Sequence, residues 1–318
     1  MDEKTALRVF ITDGTSGLGR AITRQLVSQG HQVAGVVSTL AEANQLRAEG
    51  GLPAYNDLFR ASEIASTLKM LKTDVVVNNA PQAINSLPLP EPDWAYATRL
   101  LAEGAPALAA AAAEAGVRLL VHLSYTFLYG DTHGQWADES YALQTEDGLF
   151  AAAAAAEKAV LGGAAPGCVL RAGFTYGPNS AAVHALRRAL ISRGAVTVGS
   201  GEAGWVHNRD LAQAVGLVID RQPAGEIFNI ADEHPLSPAE FVNRFADRMG
   251  VAKPSNLKLP FGLGQYVQHP SLRALLAVSV RASAAKAREQ LGWQPQFASV
   301  DAGIDQTLLA WRAAEAVQ

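Results

Sequence analysis

VFITDGTSGLGRAI, residues 9–22, reads as a strand, a glycine-rich turn and the start of a helix. Val9–Ile11 is an apolar run suited to a strand buried on both faces. Gly14, Gly17 and Gly19 follow, residues that let a backbone turn tightly or be approached closely. The pattern then becomes helical over Leu18–Gln29. The same alternation continues outward along the chain. Short β-branched runs lie at Arg8–Thr12, Gln32–Ser38, Asp74–Asn78, Leu119–Ser124 and Cys168–Thr175. A long helical stretch spans Asp93–Ala115, where Pro106 is expected to kink or break the helix. Strands alternating with helices predict an α/β fold with a doubly wound parallel sheet.

The pattern changes after Gly177. A helix is expected to close over Arg187–Gly194, followed by a short strand at Ala195–Val198. Ser237-Pro-Ala-Glu240 reads as a capping box with proline at the first helical position. Residues 1–177, with about 206–232, are expected to form a nucleotide-binding domain. Residues of about 178–205 and 233–318 are expected to form a smaller substrate domain.

With 49% apolar residues, the 318-residue chain can bury a large core. Its net charge of -4 and lack of a basic run argue against nucleic acid or an anionic membrane as a partner. The single cysteine, Cys168, allows no internal disulfide and fits a reducing compartment. MDEKTALRVF lacks the apolar run of a signal peptide, and the longest apolar stretches are alanine-rich, too weakly apolar for lipid. A cytoplasmic protein acting on a small molecule is expected. The seven histidines show no metal-ligand spacing.

The glycine loop is placed to bring backbone N–H groups to a pyrophosphate at a helix N-terminus. ITDGTSGLG resembles the glycine loop of the extended short-chain dehydrogenase/reductases, the NAD-dependent epimerase/dehydratase family. YNDLF, VVVNNAP, VRLLVHLSYTFLYGD, VLRAGFTYGPN, WVHNRDLAQAV and AREQLGWQPQ resemble further family segments, in family order. The resemblance implies a dinucleotide held by Gly14, Thr15, Ser16, Gly17, Leu18 and Gly19 at the phosphates. It places Asp57 and Leu58 beside the adenine, and Asn78, Asn79 and Ala80 along the cofactor. Asp13 stands where the family has its first glycine. Val37 and Ser38 replace the residues that usually read the ribose. Ser38 or Thr39 could bond a 2′-phosphate with no carboxylate opposing it, which points to NADP ahead of NAD.

The family's catalytic tyrosine and lysine are missing. A free phenol has a pKa of about 10 and needs a neighbouring cation to lower it. Aligning Glu157 puts Leu149 and Ala153 at those positions, and a shift of one puts Phe150 and Ala154 there. The structural asparagine position is Leu101. Tyr125 and Thr126, at the carboxyl edge of a strand, are the candidate catalytic residues. Tyr125 would donate a proton from a new direction or simply pack beside the pocket. His133, Tyr141, Glu146 and Asp147 lie in the loop expected over the site, and His122 reads as a satisfied core histidine. Ala203 stands where sugar-nucleotide enzymes often carry an arginine, which disfavours a nucleotide-sugar substrate. These features read as atypical catalysis on a small molecule by a reductase, isomerase or lyase. The alternatives are a non-catalytic dinucleotide sensor or scaffold, and a sugar-nucleotide epimerase or dehydratase. The alanine-rich helices at Ala109–Ala113 and Ala151–Ala156 imply a homodimer, since family members commonly pair through these two helices.

Overall fold

The computed structural model describes residues 6–80, 84, 86, 93–145, 148–193, 199–254 and 269–316. The strands of the main sheet are β1 (Arg8–Ile11), β2 (Gln32–Val36), β3 (Leu52–Ala54), β4 (Val75–Asn78), β5 (Leu119–Tyr125), β7 (Gly167–Ala172) and β10 (Ile227–Ile230). They lie in the order β10-β7-β5-β4-β1-β2-β3, and every pair is parallel. This is the doubly wound sheet that the alternation predicts. Its faces are separated by strand periodicity. Val9, Ile11, Val75 and Val77 point to the side covered by α1 (Gly17–Ser28) and α8 (Asn208–Arg221). Phe10 and Val76 point to the side covered by α3 (Ala61–Leu71) and α5 (Ala105–Ala115).

Two boundaries depart from the expected ones. The run Cys168–Thr175 is not one strand. It breaks at Gly173, and β8 (Phe174–Tyr176) leaves the main sheet to pair in parallel with β9 (Trp205–His207). A side chain at Gly173 would run into the Gly204 carbonyl, so the crossing of these backbones needs glycine. The Asp93–Ala115 helix is divided into α4 (Trp94–Arg99), a wider π turn at Leu100–Gly104, and α5. Pro106 sits at the start of α5. The wider turn accommodates its missing N–H and the bulk of its ring.

Residues of the second part of the chain share one buried cluster with Trp94, Leu101, Phe127 and Leu149, and within it Trp205 stacks on Phe241 with ring centroids 4.1 Å apart. Ser237 caps α9 (Pro238–Met249) through the expected box. Its Oγ accepts from Glu240 N at 3.3 Å, and Glu240 Oε2 accepts from Ser237 N at 2.9 Å. The expected strand at Ala195–Val198 lies outside the described residues. Among the described residues, no helix is long and apolar enough to cross a membrane.

The alanine-rich helix α6 (Gly148–Leu161) is tied to the sheet by a buried ion pair. Arg171 on β7 meets Glu157 through Nε–Oε1 at 2.9 Å and Nη2–Oε2 at 2.7 Å, and both side chains are almost fully buried. Ser124 Oγ donates to Glu157 at 2.5 Å. Arg171 Nη1 donates to Tyr129 Oη at 2.8 Å, and that hydroxyl donates to Asn229 Oδ1 on β10 at 2.8 Å. Removing one partner strands the other charge without water. Glu157→Ala is expected to lower unfolding free energy in urea by about 3–5 kcal/mol. Lys158→Ala, the exposed neighbour, should change it by about 0.5 kcal/mol or less.

Candidate functional site

The chain leaves β1 for β2 on one side and returns to β4 on the other, which makes a switch point at their carboxyl ends. Ligands of open parallel sheets sit at such crevices. A cleft of about 750 Å³ lies there, and Thr12, Asp13, Ser38, Asp57, Ala80 and Thr175 are among its lining residues.

The glycine loop is built from its own polar groups. Ser16 caps α1, its Oγ accepting from Gly19 N at 3.0 Å. Asp13 does not project unpaired into the phosphate position. Its Oδ1 accepts from Thr15 N and Ser16 N, each at 3.0 Å. Thr15, Ser16, Gly17 and Leu18 line the cleft. Gly14 and Gly19 are not among the lining residues. A side chain at Gly19 would collide with the Asp13 carbonyl, so this glycine serves helix–strand packing. A Cβ at Gly17 would lie 2.7 Å from Asn179 O. Gly17 thus admits the Pro178–Ser180 segment as well as any ligand, and substituting it would shift that segment.

Asn78 and Asn79 support the loop from behind. Thr12 Oγ1 donates to Asn78 Oδ1 at 3.0 Å and accepts from Asn79 N at 3.0 Å. Asn79 Oδ1 accepts from Asp13 N at 2.9 Å, and its Nδ2 donates to Asp13 O at 2.7 Å. Of the three residues expected along the cofactor, only Ala80 lines the cleft.

At the far end, Asn56, Asp57 and Leu58 line the wall. Asp57 Oδ1 accepts from Phe59 N at 3.0 Å. Asn56 Oδ1 is buried with no hydrogen-bond partner among the described residues.

Ser38 lines the cleft and Thr39 does not. Thr39 instead caps α2 (Leu40–Ala48). Its box partner, Glu42, accepts from Ser38 N at 2.6 Å and Thr39 N at 3.1 Å, and Glu42 lines the cleft. The premise that no carboxylate opposes a 2′-phosphate is therefore corrected. A glutamate at the third helical position folds back over the N-cap and carries its charge to the end of β2. The Thr-x-x-Glu spacing was visible in the sequence, but its reach into a cleft was not.

The residues present fit a dinucleotide. The N-terminus of α1 supplies a positive dipole and the first-turn N–H groups of Gly17 and Leu18 for phosphate, whereas the N–H groups of Gly14, Thr15, Ser16 and Gly19 are engaged within the protein. An orphaned buried oxygen, Asn56 Oδ1, marks the polar wall at the other end.

The opposite end of the cleft carries hydroxyls. Ser86 Oγ lies 3.4 Å from Ser180 Oγ and 3.5 Å from Thr175 Oγ1. Tyr96, half exposed, also lines the cleft and was not anticipated. Leu149 and Ala153 turn into the core at 2% and 0% exposure, so neither reaches the cleft as a donor. Leu101 is likewise buried. Tyr125 ends β5 as expected, but its ring is buried and stacked on Phe127 at 4.6 Å. Burial pushes its phenol far up, and neither it nor the buried Thr126 lines the cleft. His133 is exposed, and Tyr141 packs edge-on against Tyr129. Glu146 and Asp147 lie outside the described residues.

His122 accepts from Asn78 Nδ2 at its Nδ1 at 3.0 Å. It is only half satisfied, because its Nε2 finds no partner among the described residues. Burial holds it down to about 4 against a smaller opposing pull from Glu157. His207 caps α8, its Nδ1 accepting from Arg209 N at 3.2 Å. Burial, with the charge of Arg209, holds it down to about 3.

An open parallel sheet with a glycine loop at its switch point defines a nucleotide-binding α/β protein. The model of the NAD dependent epimerase/dehydratase family matches residues 9–231, and the chain belongs to that family. It is 26% identical to a 3-diazoavenalumate denitrifying reductase from Streptomyces sp, over 94% of this chain and 99% of that protein. It is 27% identical to 4-hydroxy-2-methyl-3-oxo-4-farnesyl-3,4-dihydroquinoline-1-oxide ketoreductase from Stigmatella aurantiaca, over 90% and 92%. The fold is shared with a dTDP-glucose 4,6-dehydratase from Streptomyces venezuelae, solved with NAD bound. That structure has a TM-score of 0.79 and 20% identity, with 98% of each chain covered.

Both histidines are held neutral in the fold, whereas an unfolded histidine takes a proton near pH 6.5. Stability from these sites is therefore complete above about pH 6.5 and lost as pH falls toward 4 and 3. Asp232, raised by burial to about 7, works in the opposite sense, since the fold takes up its proton before the unfolded chain does. Each histidine is expected to cost at most ~1.4 kcal/mol per pH unit in that window. His207→Asn keeps a capping acceptor. Its urea midpoint should fall less steeply than that of the natural chain between about pH 6.5 and pH 5.

Proposed function

We propose that the chain is a nicotinamide-dinucleotide-dependent reductase of a small organic molecule that works without the Tyr–Lys pair. The observation that carries this reading is the contrast between the two ends of the cleft. Thr15, Ser16, Gly17 and Leu18 line the phosphate side at the N-terminus of α1, while Leu149 and Ala153 are in the core. Two relatives matching nearly end to end are named as reductases, which supports the direction of the chemistry. The nicotinamide supplies the hydride when bound. The chain's own part is to seat the phosphates on the loop and to present neutral hydroxyls at Ser86, Thr175 and Ser180 to the acceptor. No lysine lowers a phenol at the two inherited helix positions, so the site suits an acceptor with its own electron sink, such as a quinone or conjugated carbonyl. Such a substrate holds the electron pair until water delivers the proton.

Purified chain should oxidise dinucleotide with conjugated acceptors and leave UDP-glucose and dTDP-glucose unchanged. Turnover of those sugar nucleotides at a rate comparable to the conjugated acceptors would overturn the reading. Tight dinucleotide binding with no turnover of any acceptor would favour a non-catalytic sensor, a reading that the loss of the Tyr–Lys pair also supports. Asp13→Asn retains an acceptor for Thr15 N and Ser16 N while removing charge near the phosphates. Isothermal titration should show dinucleotide binding tightened roughly fivefold, on the order of 1 kcal/mol.

A homodimer through the outer faces of α5 and α6 belongs to the same proposal. Ala155 is exposed, whereas Ala152 is buried in the core, so a bulky residue at Ala152 would test folding instead of pairing. Ala155→Trp is expected to convert a dimer to a monomer in sedimentation. A natural chain already monomeric at high concentration would refute the pairing.

A further inference from the structure

We infer that Glu42 selects the dinucleotide lacking a 2′-phosphate, NAD(H), over NADP(H). The inference rests on reading the cleft as a dinucleotide site. Glu42 comes from the first turn of α2, not from the end of β2, where Val37 and Ser38 carry no charge. Its carboxylate spans that strand end because the capping box folds it back. Oε2 accepts from Ser38 N at 2.6 Å and from Thr39 N at 3.1 Å.

This arrangement acts on a 2′-phosphate in two ways. The backbone donors that would hold the phosphate are already occupied by a carboxylate. The carboxylate's charge also stands where the phosphate charge would come, at close range in a partly dry cleft. No lysine or arginine is among the described lining residues, while Asp13, Glu42, Asp57 and Asp93 all are. Two guanidiniums on the adjoining α1 are engaged elsewhere. Arg20 and Arg24 both bind Glu49, with Arg20 Nη2–Oε1 at 2.7 Å and Arg24 Nη2–Oε1 at 2.7 Å. A ribose diol makes the opposite demand. It offers two O–H donors and no charge, and both hydrogen bonds that Glu42 accepts here fall on Oε2, leaving Oε1 as an acceptor.

The test is titration of the full chain with NADH and with NADPH, followed by intrinsic fluorescence or calorimetry. The natural chain should bind NADH at least about tenfold more tightly. Glu42→Gln keeps the capping box, since glutamine serves at that position, and removes only the charge. It should bring the ratio of affinities close to one, mainly by tightening NADPH. A natural chain that binds both equally, or prefers NADPH, would overturn the inference. So would an unchanged ratio in Glu42→Gln with thermal stability retained. If neither dinucleotide binds the natural chain, the dinucleotide reading itself fails and the assignment of Glu42 falls with it. NADH binding with no discrimination would leave that reading standing and reject Glu42 alone.

Discussion

The Glu157–Arg171 pair is the constraint on which the rest of the arrangement depends. Two charges buried to this degree are tolerable only when each is bonded on several sides. The surroundings meet that demand with Ser124 on β5, Tyr129 just after it and Asn229 on β10. The result is a polar chain running across three neighbouring strands and one helix. It fixes the rotation of α6 about its axis, and with it which alanines face the core. Ala152, Ala153 and Ala156 pack inward, and Ala155 and Lys158 face outward. A helix fixed in this way stays in place with alanines on its inner face. Ala153 adds no further buried charge to compensate.

The cleft uses carboxylates in a related manner. Asp13 and Glu42 both line the cleft, and both are turned onto backbone N–H groups of their own loop. A backbone donor facing a carboxylate stabilises its charge locally and orders the loop at the same time. The two acids differ in consequence. Asp13 closes the turn beside the phosphates. Glu42 stands at the ribose end, where its charge meets a second phosphate or a neutral diol. In the inferred role of Glu42, cofactor discrimination is a property of helix capping.

The hydroxyl-bearing end of the cleft is assembled across large sequence distances. Ser86, Thr175 and Ser180 come together because β8 leaves the main sheet at Gly173 and brings the Pro178–Ser180 segment over Gly17. Arg20 Nη1 reaches Asn179 Oδ1 at 3.2 Å across the same junction. The glycine loop and the hydroxyl-bearing segment are therefore in direct contact.

The sequence alone determined the parallel α/β class, five of the seven strands of the main sheet, the glycine turn and the capped start of α9, because those signals are local: apolar runs, glycine spacing and capping residues within a few positions. It also showed neither tyrosine nor lysine at Leu149 and Ala153, or at Phe150 and Ala154, the positions its resemblance aligns with that pair. It could show Thr39 and Glu42 as a capping box, but not that the box opens onto a cleft. It could place Tyr125 at a strand end, but not decide between reaching a ligand and stacking on Phe127. It used Glu157 only as a landmark and missed its partner Arg171, because an ion pair across two elements leaves no periodic trace. Those matters were decided by tertiary structure, through which side chains lose water together and which backbones pass close enough to exclude a Cβ.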